Sequence, residues 1–317
     1  MKKLLCVVSL VLLVCFAYGL QQKETSGVIN VEGAKLHYII QGNGIPCLVL
    51  GASPLYIRVF SQNLRQNLKF IFLGLRHDAQ SENSMEINKI TLDTYLNDIE
   101  QARSTLGLEK VAVLGHSGHG LIALGYARKY PQHTSHLIMI GTPPVMNEEY
   151  SKATEEYWET QASAERKLIL KQNSEELTED ELNKMTPMGR FISTYVANAP
   201  MYFYNPKYDG SWIFKDHIFN LDVLDHVWGK VLSQNGLDKV HGKISTPVFL
   251  ALGKYDFVVP YYLWDDAMRG KLSNLSNNLF EKSGHFPMVE ERELFDKKLT
   301  DWVKSHQLPL SKSRGEK

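Results

Sequence analysis

The sequence predicts an α/β protein: a doubly wound, mostly parallel sheet interrupted by a helical insertion. Three patterns carry this reading. Short apolar, β-branched runs alternate with longer stretches of helical periodicity through the first half of the chain. The alternation stops over residues 144–243, which hold charged helical stretches and no strand pattern. Strand signals then return, and a final amphipathic stretch closes the fold. A chain of 317 residues with 44% hydrophobic and 22% charged residues can bury a large core. That composition excludes a disordered, collagen-like or multi-span membrane chain. Lys+Arg 35 balances Asp+Glu 35, so no global field favours nucleic acid, and the expected partner is a small-molecule substrate.

Lys2 and Lys3 precede an uncharged run over residues 4–20 with small residues at Ala17 and Gly19. This predicts a signal peptide over 1–19, cleaved after Gly19, with secretion or delivery to a periplasm. The run is at the short limit for a bilayer span, so the alternative is an uncleaved N-terminal anchor, the one membrane contact expected. Cleavage would also remove Cys6 and Cys15, leaving Cys47 alone, so no intramolecular disulfide is expected. Val14 before Cys15 argues against lipoprotein processing. Cys47 lies in an apolar run and reads as a small buried hydrophobe.

Residues 20–143 form the first part of the core. Segments 28–31 and 36–40, joined around Glu32 and Gly33, predict a leading hairpin. Runs 46–50, 70–73, 111–114 and 137–140 predict strands buried on both faces. Leu92, Leu96, Ile99 and Ala102 recur at helical spacing, and 121–130 predicts another helix. Residues 144–243 predict the helical insertion, with charged helices over 150–172 and 175–184 and an aromatic segment over 202–212. Core strands resume at 247–252 and 278–280, within a second core part spanning 244–310, and 291–305 predicts a closing helix. The polar tail 311–317 is expected to be disordered.

Chemistry concentrates just after three strands. Gly115-His116-Ser117-Gly118-His119-Gly120 follows the strand 111–114 and enters a helix, which suits a sharp turn that thrusts a Ser hydroxyl above the sheet. The pattern G-x-S-x-G is met at Gly115 and Ser117 but broken at His119, and Ser117 as a mere helix cap is the alternative. Two further segments argue for chemistry. Gly253-Lys254-Tyr255-Asp256 ends one strand in a carboxylate, and Ser283-Gly284-His285-Phe286-Pro287 presents a histidine after the last strand. Parallel strands bring all three ends to one edge of the sheet, where open α/β folds bind ligands.

These motifs, together with the helix 121–131, resemble the α/β-hydrolase-fold serine hydrolases with a helical cap, similar to the prolyl-iminopeptidase-like and esterase branches. The resemblance covers nearly all of the mature sequence. It implies Ser117 as nucleophile, His285 as general base and Asp256 as the group that fixes the imidazole tautomer. It also implies an oxyanion hole from the backbone amides of Gly118 and Ala52, with Leu50 standing where the family's His-Gly-x motif has histidine. Residues 74–81 keep only Arg76 and Ser81 of the family's D-x-R-G-x-G-x-S pattern, and these are expected to shape the fold. His119 must find room under the elbow, facing a small residue on a neighbouring strand. It is expected to be packed and hydrogen-bonded rather than catalytic.

No cofactor is expected. His116 and His119 are three apart, but no carboxylate or cysteine completes a metal set, so no metal is expected either. In the insertion, Tyr202, Phe203, Tyr204, Tyr208 and Trp212 form an aromatic cluster that could line the substrate pocket, with Tyr204, Tyr208 and Trp212 as the chosen candidates and the insertion's own core as the competing role. Glu155 and Glu156 are candidates for receiving a substrate amine. The functional reading is a serine hydrolase acting on a small ester or amide through an acyl-enzyme. Alternatives are an iminopeptidase-like aminopeptidase and a non-catalytic ligand-binding relative. Asp at the elbow would have indicated epoxide hydrolase or dehalogenase chemistry, and Ser117 stands there instead.

Overall fold

The computed structural model describes residues 25–51, 53–79, 86–241 and 243–306. The expected signal peptide 1–19, oxyanion residue Ala52, Ser81 and the tail 311–317 lie outside the described residues. The leading hairpin pairs β1 (Thr25–Val31) with β2 (Ala34–Gln41), and Gly33 takes φ 72° in its turn. β3 (Ile45–Leu50), β4 (Leu68–Leu73), β5 (Val111–His116), β6 (Thr134–Ile140), β7 (Val248–Gly253) and β8 (Leu275–Phe280) complete one sheet, in the order β1-β2-β4-β3-β5-β6-β7-β8. The first two pairings are antiparallel and the remainder parallel.

The strand residues form a sheet because both their faces are covered. Along β3, Cys47 and Val49 join one apolar cluster, while Leu48 and Leu50 join another on the opposite face. α2 (Leu92–Thr105) and α3 (Gly118–Lys129) cover the second face, and α1 (Ser53–Val59) with the closing helix Arg292–Ser305 covers the first. Each fully buried aliphatic side chain contributes about 1.5–3 kcal/mol, so Leu48, Val49 and Leu50, with Cys47 buried beside them, are enough to fix the place of this six-residue strand. α1 was not anticipated from the sequence, although Leu55, Tyr56 and Val59 do share a helical face.

Between β6 and β7 the described residues hold helices and no named strand. The single helix expected over 150–172 is two, α4 (Glu148–Gln161) and α5 (Ala164–Glu176), because the Ser163 side chain accepts the Arg166 backbone N–H and starts a new helix. α6 (Glu179–Leu182) and α7 (Pro187–Ala197) follow. The segment after α7 is tied to the core rather than free. Tyr202 carbonyl accepts the His285 backbone N–H at 2.6 Å, and Met201 carbonyl accepts that of Phe257 at 3.0 Å. The buried Arg166 guanidinium donates to the carbonyls of Pro200, Phe203 and Tyr204.

Candidate active site

β5 runs directly into α3, and Ser117 at the junction holds φ 55° and ψ −133°. Such a conformation costs a residue with a side chain about 1–3 kcal/mol and persists only where the surroundings enforce it. Here they do. The Ser117 backbone N–H donates to Ile140 carbonyl of β6 at 2.8 Å, and the Gly120 N–H closes the turn onto Ser117 carbonyl at 2.9 Å. Gly115 is required because a Cβ there would collide with the His119 carbonyl. Gly118 opens α3, where backbone N–H groups lack intrahelical acceptors and the helix dipole favours negative charge.

Asp256 and His285 meet on the neighbouring loops. His285 Nδ1 donates to Asp256 Oδ2 at 2.7 Å, while Asp256 Oδ1 accepts the backbone N–H groups of Val258 and Val259 at 3.0 and 2.7 Å. Asp256 is fully buried and His285 nearly so. The His285 loop is braced by Glu290, whose two oxygens accept the Gly284 and Tyr204 backbone N–H groups, both at 2.7 Å. Burial pushes the Glu290 carboxyl up to about 7 against the pull of those two donors.

Ser117, Gly118 and His285 open on one cavity of about 350 Å³. Its walls are largely aromatic: Tyr56, Phe191, Tyr195, Tyr202, Phe219 and Trp228. Of the expected aromatic cluster Tyr202 lines this cavity, and Tyr204, Tyr208 and Trp212 stand elsewhere. Tyr208 lines a separate cleft of about 560 Å³ within the insertion. Trp212 gives its indole N–H to Tyr208 Oη at 3.2 Å, and Tyr204 is exposed and packs on Tyr255. Most of the pocket's aromatic wall comes from other residues of the insertion, Phe191, Tyr195, Phe219 and Trp228, joined by Tyr56 of α1. Phe191 and Tyr195, four apart on α7, carried a legible signal in their spacing; Phe219 and Trp228 carried none. Glu155 and Glu156 are exposed and do not line the cavity.

His119 is 6% exposed and fits because it faces Gly51, just past β3, where any Cβ would strike the imidazole and where φ is +77°. The small neighbour anticipated for it is therefore Gly51. Its Nδ1 lies 3.2 Å from Tyr56 Oη, and its Nε2 lies 2.8 Å from His77 Nε2. Burial and the neighbouring His77 push the His119 imidazole down to about 3, so the ring is neutral. Burial likewise lowers His77 and His116. Arg76 makes a bidentate pair with Asp98 at 2.6 and 2.9 Å, both buried, and so pins the segment after β4 to α2.

Sequence and structure comparisons agree with this architecture. Residues 50–292 match the family model described as the alpha/beta hydrolase fold. The chain is 34% identical over 281 residues to the AB hydrolase superfamily protein YclE of Bacillus subtilis, covering 88% of this chain and 99% of that one. It is 24% identical over 302 residues to a proline iminopeptidase of Clostridioides difficile, covering 90% and 99%. Among solved structures, an alpha/beta fold family hydrolase from Bacillus anthracis superposes with a TM-score of 0.64 at 18% identity, covering 90% of this chain and 99% of that one. An esterase from Exiguobacterium antarcticum superposes at 0.56 and 20% identity, covering 87% and 98%. A sheet of this order with a strained Ser turn at its centre defines a class of hydrolytic enzymes. The chain belongs to the alpha/beta hydrolase fold family.

Proposed function

We propose that this hydrolase cleaves small, largely apolar carboxylic esters through an acyl-enzyme on Ser117. The observation that carries the reading is one aromatic cavity onto which Ser117 and His285 both open, with Asp256 bonded behind His285 at 2.7 Å. In the first step Ser117 Oγ forms a bond to the ester carbonyl carbon, and its proton passes to His285 Nε2. The carbonyl π pair becomes an oxyanion, met by the Gly118 amide and, in this reading, by the Ala52 amide beyond β3. The oxyanion collapses, the C–O bond to the leaving alkoxide breaks, and His285 returns the proton to it. Water then repeats the sequence on the acyl-enzyme, releasing the carboxylic acid and restoring Ser117. Asp256 holds the Nδ1–H tautomer and stabilises the imidazolium.

The helical insertion serves as a cap that supplies the cavity's aromatic wall. An apolar pocket recovers about 25 cal/mol per Å² of apolar surface buried, which favours uncharged acyl groups. One observation favours a second reading, cleavage of aminoacyl amides: Asp225 lines the cavity and could receive an amine. Asp225 is exposed, however, and a carboxylate in contact with solvent gives an ammonium little. The test is fluorophosphonate labelling with a panel of p-nitrophenyl esters and proline anilides. Labelling of the purified chain that Ser117→Ala abolishes, with esters turned over faster than anilides, is expected. Absence of labelling would favour a ligand-binding relative, and anilide preference lost in Asp225→Asn would favour the amide reading. The basic-then-apolar leader supports export with cleavage after Gly19, which the mass of the mature N-terminus checks.

A further inference from the structure

The cavity is lined by an indole, that of Trp228, to which the acyl-transfer steps give no role. Trp228 sits in the five-residue π-helical stretch Val227–Val231, which follows the short helix Leu221–His226. Such stretches give up regular helical hydrogen bonding and recur where a side chain must be aimed at a functional site. The Trp228 indole lies against the nucleophile turn: a Cβ built on Gly118 would stand 2.7 Å from both Nε1 and Cε2, so only glycine admits the ring. Two histidines also pack against it. The rings of His119 and His77 meet it edge to face, with centroids 5.0 and 5.3 Å away and planes at 80° and 83°. Trp212 and Trp264 both donate their indole N–H groups, to Tyr208 Oη and to Thr142 carbonyl. Among the described residues no acceptor takes that of Trp228.

We propose that Trp228 is a further catalytic residue, an indole donor that joins the Gly118 amide on the substrate oxyanion. The proposal rests on the acyl-transfer reading of the site. Its geometry follows from standard bond lengths, which put a Cβ about 2.5 Å from its own backbone nitrogen. Trp228 Nε1 therefore lies within about 5 Å of Gly118 N, and two donors so spaced can each reach one oxygen at about 2.7–3.1 Å. An indole nitrogen only donates, so the carbonyl oxygen of a bound ester, which gains charge as Ser117 attacks, is the acceptor it suits. The same arrangement accounts for the one break in the elbow pattern. His119 replaces a glycine, Gly51 vacates the space for its ring, and that ring buttresses Trp228.

The experiment compares the full-length chain with Trp228→Phe, which keeps an aromatic ring and removes only the donor and some area. Competent sites are counted by labelling Ser117 to completion with a fluorophosphonate, so that kcat is expressed per folded site. kcat and KM are then measured on p-nitrophenyl acetate. The Ki of a trifluoromethyl ketone, which forms an oxyanionic hemiketal on serine, is measured in parallel. The expected result is a fall in kcat of about 10²-fold, KM within about twofold, and a trifluoromethyl ketone Ki raised by the same factor as kcat falls. A kcat per labelled site within twofold of wild type overturns the proposal. So does a raised KM at unchanged kcat, which would make Trp228 only a wall of the pocket. Failure of the wild-type chain to label at Ser117 overturns the hydrolase reading itself, a separate outcome visible before the variant is tested.

Discussion

Replacing Asp256 by asparagine tests the orienting role sharply, because the structure leaves the new amide one orientation. Asp256 Oδ1 accepts two backbone N–H groups, from Val258 and Val259, and Oδ2 accepts His285 Nδ1–H. An amide nitrogen at the Oδ1 position would set its own hydrogens against two buried donors, at about 1–3 kcal/mol for each group left unsatisfied. The amide oxygen therefore takes that position and the NH₂ turns to His285. Facing a donor, Nδ1 must become an acceptor, and the single proton of the neutral imidazole moves to Nε2. That is the nitrogen left for Ser117, and it can no longer take a proton. The expected loss is about 10⁴-fold in kcat at neutral pH with KM little changed, as a wrong tautomer costs in triads generally. Because both backbone bonds survive, stability should fall by no more than about 2 kcal/mol. The assay is steady-state hydrolysis of p-nitrophenyl acetate per fluorophosphonate-labelled site, with urea unfolding in parallel. A kcat within tenfold of wild type would refute the reasoning, as would a loss of activity matched by general unfolding.

Glu290, raised to about 7 by burial, holds more protons folded than unfolded between about pH 4.5 and 7. Wild-type stability should therefore decline relative to Glu290→Gln as pH rises through that window, by roughly 3 kcal/mol in total, and a flat difference between their urea-unfolding curves would count against it. His119→Gly restores the small residue of the elbow pattern but empties a ring-sized space and strips His77 and Tyr56 of a partner, so thermal or urea unfolding should show a loss of about 3–5 kcal/mol. Phe219→Ala at the cavity wall should raise KM for aromatic esters about tenfold, whereas Trp212→Ala, away from the cavity, should leave kcat/KM within about threefold. Equal effects of the two substitutions would show that the cavity is not the acyl site.

The architecture was legible because strands buried on both faces write themselves as continuous apolar runs. Cys47, Leu48, Val49 and Leu50 have no polar residue to interrupt them, and each is fully buried. Ser117, Asp256 and His285 were legible because strand, glycine and polar residue come in sequence at one sheet edge, and parallel topology then does the rest of the assembly. The pocket was not. Of the aromatic segment 202–212 Tyr202 lines the cavity, while Phe203 and Tyr208 pack on each other with centroids 4.5 Å apart, and aromatic density does not say which of these a residue does. Tyr56 and Trp228 stand in short elements, α1 of seven residues and a π-helical stretch of five, whose positions depend on tertiary contacts more than on their own pattern.

The hydrogen-bond directions around His119 follow from one fixed point. A carbonyl only accepts, so His116 Nε2 must donate to His285 carbonyl at 2.9 Å, and the neutral His116 ring then offers Nδ1 as an acceptor. Tyr56 Oη, 3.4 Å away, supplies its one proton there, so the His119 Nδ1–H donates to Tyr56 oxygen. His119 Nε2 is left as an acceptor and takes the His77 Nε2–H, while His77 Nδ1 accepts from Tyr95 Oη at 2.9 Å. This assignment satisfies every ring nitrogen with no imidazolium, in keeping with the lowering of all three histidines by burial. It also gives the chain of five bonds a direction, from Tyr95 on α2 to the backbone of His285. A break at His119 would leave the His77 Nε2–H without its acceptor and the Tyr56 oxygen without its donor, whereas the bond from His116 at the end of β5 to His285 carbonyl would survive.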